Sequence, residues 1–116
     1  MTDQTIEHEI QAKGLTAPRI TPSDIEANIV NEHYFTAADG MIGAYGTAQM
    51  NNPLSLLTFC VLVLRNGFTV TGESACASPE NFDILIGRKI ARDNAINKVW
   101  PLMGYELKCR LAGGTA

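Results

Sequence analysis

The longest apolar run of the chain predicts the first strand of a β-hairpin. Leu56–Arg65 is rich in leucine, valine and phenylalanine, and the shorter run Phe68–Ser74 alternates apolar and polar residues. The pair Asn66-Gly67 between them is typical of a two-residue type I′ turn, which needs positive φ at both positions. A turn of this kind places Val63 opposite Val70. The first run is apolar on both faces and the second on one, which predicts a central strand beside an edge strand.

A helix is predicted after the hairpin, over Pro79–Val99. Ser78 is a typical cap, Pro79 suits the first helical position, and Glu80 is favourable near the positive end of the helix dipole. At about 100° per residue, one broad arc is predicted to face inward. It contains Phe82, Ile84, Ile86, Gly87, Ile90, Ala91 and Ala95. The small residues recur every four positions and predict close packing, while Arg88, Lys89 and Arg92 are predicted to form a solvated face.

Four further segments complete the predicted fold. A capped helix is expected over Thr2–Lys13, a second helix over Thr21–Phe35, and a glycine-containing loop over Thr36–Pro53. Trp100-Pro101 is expected to end the long helix. Tyr105–Leu111 alternates apolar and charged residues, which predicts a half-buried strand.

Together these elements predict a small α+β domain. We expect N-terminal helices and a three-stranded sheet ordered second, first, third strand along the chain, with the long helix packed on one face. Residues 1–20 are expected to form a mobile N-terminal helix and connector, residues 21–111 the domain, and residues 112–116 a disordered tail.

Composition and charge narrow the function classes. The chain has 116 residues and a net charge of −3, which argues against a nucleic-acid binder that neutralises phosphates. No run reaches the roughly 18 apolar residues of a membrane span, and the first residues have no basic segment followed by an apolar one. The three cysteines are an odd number without metal-ligand spacing, which fits a reduced cytoplasmic compartment. We therefore expect no membrane anchor, metal or cofactor.

A candidate ligand site is predicted between the end of the hairpin and the start of the long helix. Its members are Glu73, Ser74, Cys76, Ser78 and Asp83, with Arg88 supplying positive charge. Asp83 has an alternative role as a carboxylate that stabilises the start of the helix. Cys76 is either a structural cysteine or a nucleophile, and as a nucleophile it would need a histidine such as His33.

The chain also resembles a known family. The resemblance is carried by Asn31–Ala37, Leu62–Cys76, Asn81-Phe-Asp83, Gly87, Ala91, Ala95 and Trp100–Tyr105. In this order and spacing they resemble the gp-forty-nine/sixty-six type family of small tailed-phage proteins. The resemblance implies a viral origin and action in the cytoplasm of an infected bacterium, and it brings no catalytic residues.

Three functions from different classes follow. The first is a non-enzymatic phage accessory protein that forms a homo-oligomer and binds a host protein, in host takeover or counter-defence. The second is a protein that binds or sequesters a small nucleotide-type ligand between subunits at the candidate site. The third is a cysteine-dependent enzyme. We favour the first, because the sequence contains no phosphate loop, zinc-binding pattern or serine-nucleophile motif.

Overall fold

The computed structural model describes residues 2–15, 17–47 and 53–113. The helices and strands are α1 (Asp3–Ala12), α2 (Pro22–Asn28), β1 (Ile29–Thr36), α3 (Ala37–Tyr45), β2 (Leu57–Leu64), β3 (Thr69–Ala75) and α4 (Ile84–Leu111). Short 3₁₀ turns at Pro53–Leu56 and Pro79–Asn81 precede β2 and lead towards α4. The strands form one antiparallel sheet in the order β1-β2-β3, and α4 packs on one face against β2 and β3. The predicted α+β fold, with a three-stranded sheet and a helix on one face, is confirmed.

The hairpin forms where it is predicted, with β2 central and β3 at an edge, but its register differs by one residue. Val70 lies opposite Leu62 and not opposite Val63. The loop consists of three residues, 65–67, and Gly67 adopts φ 90°, the left-handed conformation that closes such a loop. Because successive side chains point to opposite faces, this register places the buried Leu62 and Val70 side by side under α4.

The third strand of the sheet is β1, so the predicted helix over Thr21–Phe35 is wrong beyond Asn28. β1 runs antiparallel to β2, from the pair Ile29–Leu64 to the pair Thr36–Thr58. The residues after Asn28 are largely β-branched or aromatic, which suits a strand. Pairing with β2 also gives hydrogen-bond partners to the backbone N–H and C=O groups of the whole segment. This gain outweighs the weak local preference of the segment for helix.

The long helix is displaced and extended relative to the prediction. It begins after Asp83 and continues through Pro101 to Leu111, so the predicted strand over Tyr105–Leu111 is wrong. Pro101 is exposed, and water can therefore bond the carbonyl group that the missing N–H leaves free. On the other side of the same turns, Trp100 and Met103 pack against the core and hold the helix in place.

The predicted loop over Thr36–Pro53 contains α3. Thr36 caps this helix: its Oγ1 accepts from Asp39 N at 3.1 Å, and Asp39 Oδ2 accepts from Thr36 N at 2.9 Å. Gly46, at φ 83°, ends it. A capping box of this kind is readable in the sequence and favours a helix start. Residues 48–52 of the predicted loop, and residues 114–116 of the predicted tail, lie outside the described residues.

The predicted N-terminal helix is confirmed as α1 and is attached to the domain by two polar contacts. Asp3 Oδ2 accepts a hydrogen bond from Trp100 Nε1 of α4 at 3.1 Å. Glu7 forms a bidentate ion pair with Arg19 in the connector to α2, at 2.5 and 2.8 Å. The hydrogen bonds from Arg19 hold the pKa of Glu7 at about 2.

The core is a single layer between α4 and the sheet. Its buried apolar residues are Ile25, Cys60, Leu62, Leu64, Val70, Ala91, Ala95, Ile96 and Val99. The small residues of α4 face the sheet, as predicted, and allow a close approach. A Cβ built on Gly72 of β3 would stand 2.1 Å from Ala91 O, so the backbone of α4 rests directly on that strand. The molecule measures 54 × 31 × 18 Å, and the short dimension corresponds to two layers.

Candidate functional site

The predicted site residues lie along one segment, from the end of β3 to the first turns of α4. Cys76 Sγ donates to Ser78 O at 3.2 Å, so these two residues are brought together. Asp83 Oδ1 accepts from Leu85 N at 2.9 Å and from Ile86 N at 3.1 Å. Asp83 therefore caps α4, which is the alternative role considered for it. Ser78 makes no capping hydrogen bond, so its predicted capping role is wrong.

The other residues of the predicted ligand site point in different directions. Glu73 is exposed, and its carbonyl oxygen accepts from Asn94 Nδ2 of α4 at 2.8 Å. Ser74 is half-buried and pairs with Thr58 of β2. The guanidinium carbon of Arg88 lies 5.7 Å from the ring centre of Tyr34 on β1. Within the described ranges, no ion pair joins Arg88 to the acidic members of the predicted site.

The structure does not place a histidine beside Cys76. His33 is exposed in the middle of β1, opposite Val61, and Val61 is in turn opposite Thr71 of β3. Cys76 is five residues further along that edge, which is about 16 Å of strand. Cys60 is the buried cysteine, and desolvation raises the pKa of its thiol. The described residues contain no cluster of histidine, cysteine and carboxylate side chains with the arrangement of a metal site.

A charged network fixes one flank of α4, so the prediction of a solvated face is wrong for Arg92. Arg92 donates to both carboxylate oxygens of Glu26 on α2, at 3.1 and 2.7 Å, and to Glu32 on β1 at 3.0 Å. Tyr34 donates to the same carboxylate of Glu32. Burial and this hydrogen bond raise the pKa of Tyr34, while Tyr34 and Arg92 lower the pKa of Glu32. The network ties α2, β1 and α4 together.

The N-terminal turns of α4 expose four aliphatic side chains. They are Ile84, Leu85, Ile86 and Ile90, with exposed fractions of 45, 63, 56 and 47%. We call this set the aliphatic surface of α4. Three of the four were predicted to face inward, and this prediction is wrong. The inward stripe begins at Gly87 and continues in steps of four to Val99, which leaves Ile86 and Ile90 on the solvent side.

The aliphatic surface could have been predicted from the sequence by following the inward row of small residues to the C-terminal part of the helix. Gly87, Ala91, Ala95 and Val99 are four apart and all buried. Once that row defines the inward direction, Leu85 and Ile86 point away from the packed face, and Ile84 and Ile90 lie on its two flanks. Leu85 was not considered as a site residue at all. Large aliphatic residues that a fold leaves exposed as a cluster are typical of interaction surfaces.

A concave feature lies at the other end of the sheet. The hairpin tip, the connector to α2 and the C-terminal half of α4 enclose an open cleft of about 1000 Å³. Its apolar wall includes Phe68, Leu102 and Met103. Its arginines are already engaged: Arg19 pairs with Glu7, and Arg65 donates to Ala27 O at 2.6 Å. The cleft was not predicted, because α4 was expected to end at residue 99.

The fold and surfaces define a small two-layer α+β protein with an exposed aliphatic helix surface. The model of the phage protein family described by N4 Gp49 and phage Sf6 gene 66 matches residues 20–111, which is most of the chain. The chain belongs to this phage protein family, as the resemblance implied. No curated protein matches the chain, and no solved structure matches it. In the described part of the chain, no helix is long and apolar enough to cross a membrane.

Proposed function

We propose that this phage protein is a non-enzymatic accessory protein that binds a host protein in the cytoplasm of the infected bacterium. The observation that carries the proposal is the aliphatic surface of α4. Ile86 and Ile90 are one helical turn apart, so their side chains form a continuous ridge, and Ile84 and Leu85 expose further aliphatic surface on other sides of the first turn. Covering a fully exposed aliphatic side chain of this size is worth roughly 1.5–3 kcal/mol, and about half of that is available here because these side chains are about half exposed.

The neighbouring groups support a protein partner in preference to a small ligand. The first N–H groups of α4 are occupied by Asp83, and Arg88 is turned to Tyr34. The aliphatic surface is convex and on a helix, whereas small-molecule sites are concave. A convex apolar ridge with a polar surround fits a groove on another protein. Family membership supports an action during infection, such as host takeover or counter-defence.

The test compares two variants that each add one positive charge to the solvent side of α4. Ile86→Lys changes the aliphatic surface, and Asn97→Lys changes an exposed position three turns further along the same helix. Tagged wild-type protein is expressed in host bacteria, and bound host proteins are recovered and identified. We expect one host protein to bind the wild type and Asn97→Lys, and to be at least tenfold depleted with Ile86→Lys.

The folding of the same two variants must also be checked. Both should retain the wild-type circular dichroism spectrum and melting temperature, because both positions are exposed. Equal recovery of the host protein with Ile86→Lys, or no host protein enriched by folded wild-type protein, would contradict the proposed function.

A further inference from the structure

The N-terminal helix α1 lies beside a groove between α2 and α4. This groove, of about 440 Å³, is lined by Pro22 of α2 and by Ile96 and Trp100 of α4, and residues 2–4 at the start of α1 form part of its wall. Asp3 Oδ2 accepts from Trp100 Nε1 at 3.1 Å, so α1 occupies the polar edge of the indole ring. We call this feature the Trp100 groove.

The attachment of α1 depends on polar contacts and not on apolar burial. None of the residues of α1 is buried, and Ile6 is 42% exposed. Besides the hydrogen bond to Trp100, α1 is held by the bidentate ion pair of Glu7 with Arg19. The side chains of this pair are only 14 and 21% exposed, so solvent screens it less than it screens a surface pair. Because the apolar contribution is small, the loss of this one pair should be enough to release α1.

The domain has a complete core without α1. Its buried apolar residues lie between Ile25 and Val99, and the family model matches from residue 20 onwards, which is after α1. α1 has ten residues, and an isolated helix of this length is only marginally stable in water. We therefore expect α1 to be helical where it is docked and to lose its helix when it leaves.

We propose that α1 is a releasable strap over the Trp100 groove. While Glu7 is paired with Arg19, the strap is closed and Asp3 occupies the N–H of Trp100. When the pair is broken, α1 leaves as a unit, and the sheet and α4 stay folded. Release frees this N–H and uncovers the groove. Trp100 is ten residues beyond Ile90, about 15 Å along α4, so the strap leaves the aliphatic surface unchanged.

Hydrogen–deuterium exchange of the full chain tests the release. Glu7→Arg places two cations together. Glu9→Arg is the matched control, because it makes the same charge change at an exposed position whose partner, Lys13, is at the end of the same helix. We expect the amide protection of α1 to fall about tenfold or more in Glu7→Arg and less than about threefold in Glu9→Arg, with β2 unchanged in both. Equal protection of α1 in the wild type and Glu7→Arg, an equal loss in the two variants, or a parallel loss in α1 and β2 would overturn the proposal.

The fluorescence of the single tryptophan tests what the release uncovers. Quenching by acrylamide should be stronger in Glu7→Arg than in the wild type, because Trp100 loses its contact with α1. Combining Glu7→Arg with Arg19→Glu re-forms the ion pair with its charges exchanged. This double variant should return both the quenching and the protection of α1 towards the wild-type values. Unchanged quenching in Glu7→Arg, or a double variant that stays released, would show that the pair does not control the strap.

Discussion

Replacing Gly72 with alanine should destabilise this protein more than its small size suggests. Gly72 lies in β3 directly under α4, and its backbone is not in the left-handed region, so alanine meets no conformational penalty there. The penalty is steric. The new Cβ would stand 2.1 Å from Ala91 O and 2.3 Å from Ala95 N, and both of these are backbone atoms. Neither can rotate away, so α4 must move from the sheet by about 1 Å or more to restore an ordinary contact.

The magnitude follows from the loss of contact along the whole helix. A gap of 0.5–1 Å forfeits about a quarter to a half of each dispersion contact across it. Overpacking of a well-packed core typically costs about 1–3 kcal/mol, and the rigid backbone contact puts Gly72→Ala at the upper end. Alanine also stabilises the folded protein by about 0.4–1 kcal/mol, because it lowers the conformational entropy of the unfolded chain. We therefore expect a net loss of roughly 2–3 kcal/mol in the free energy of unfolding, which lowers the melting temperature by about 10 °C.

Gly87→Ala is the matched control, because it adds the same methyl group on the opposite side of the same interface. Its Cβ would lie 3.2 Å from Thr58 Oγ1, a side-chain atom that can shift by a few tenths of an ångström. Alanine also gains roughly 1 kcal/mol of helix propensity over glycine. The net change should lie within about 1 kcal/mol of zero. Urea unfolding followed by far-ultraviolet circular dichroism, at one fixed protein concentration, measures both. Equal stabilities for the two variants would refute the close approach of α4 to β3.

Three further outcomes test other parts of the structure. The pKa of Glu7 is lowered to about 2, so its ion pair stabilises α1 above pH 4.5 and is lost as the pH falls towards 2; Glu7→Gln should remove this dependence from the fluorescence of the single tryptophan. Thr58→Val should raise the free energy of unfolding by about 1 kcal/mol, because Thr58 Oγ1 is buried without a hydrogen-bond partner among the described residues. Cys60 should resist alkylation in the folded protein while the half-buried Cys76 is labelled, and simultaneous labelling of both would contradict the buried position of Cys60.

Several elements were determined by local sequence. The hairpin loop contains Gly67, the residue that adopts positive φ, and the flanking runs contain the β-branched and aromatic residues of strands. α1 begins after Thr2, whose hydroxyl caps it. The row of small residues in α4 predicted a close helix–sheet contact, and Gly72 completes that contact on the strand. In each case, the deciding interaction lies within a few residues or depends on side-chain size alone.

Other elements were decided only by tertiary structure. Residues 29–36 have a spacing that suits a helix, and they become a strand because β2 offers a full set of backbone partners. Residues 105–111 alternate like a strand, but no sheet edge receives them, and they continue α4, which packing at Trp100 and Met103 carries past Pro101. The aliphatic surface of α4 and the charged network around Arg92 follow from where that helix sits. Local periodicity fixes which faces an element has, and only its long-range partners decide which face is covered.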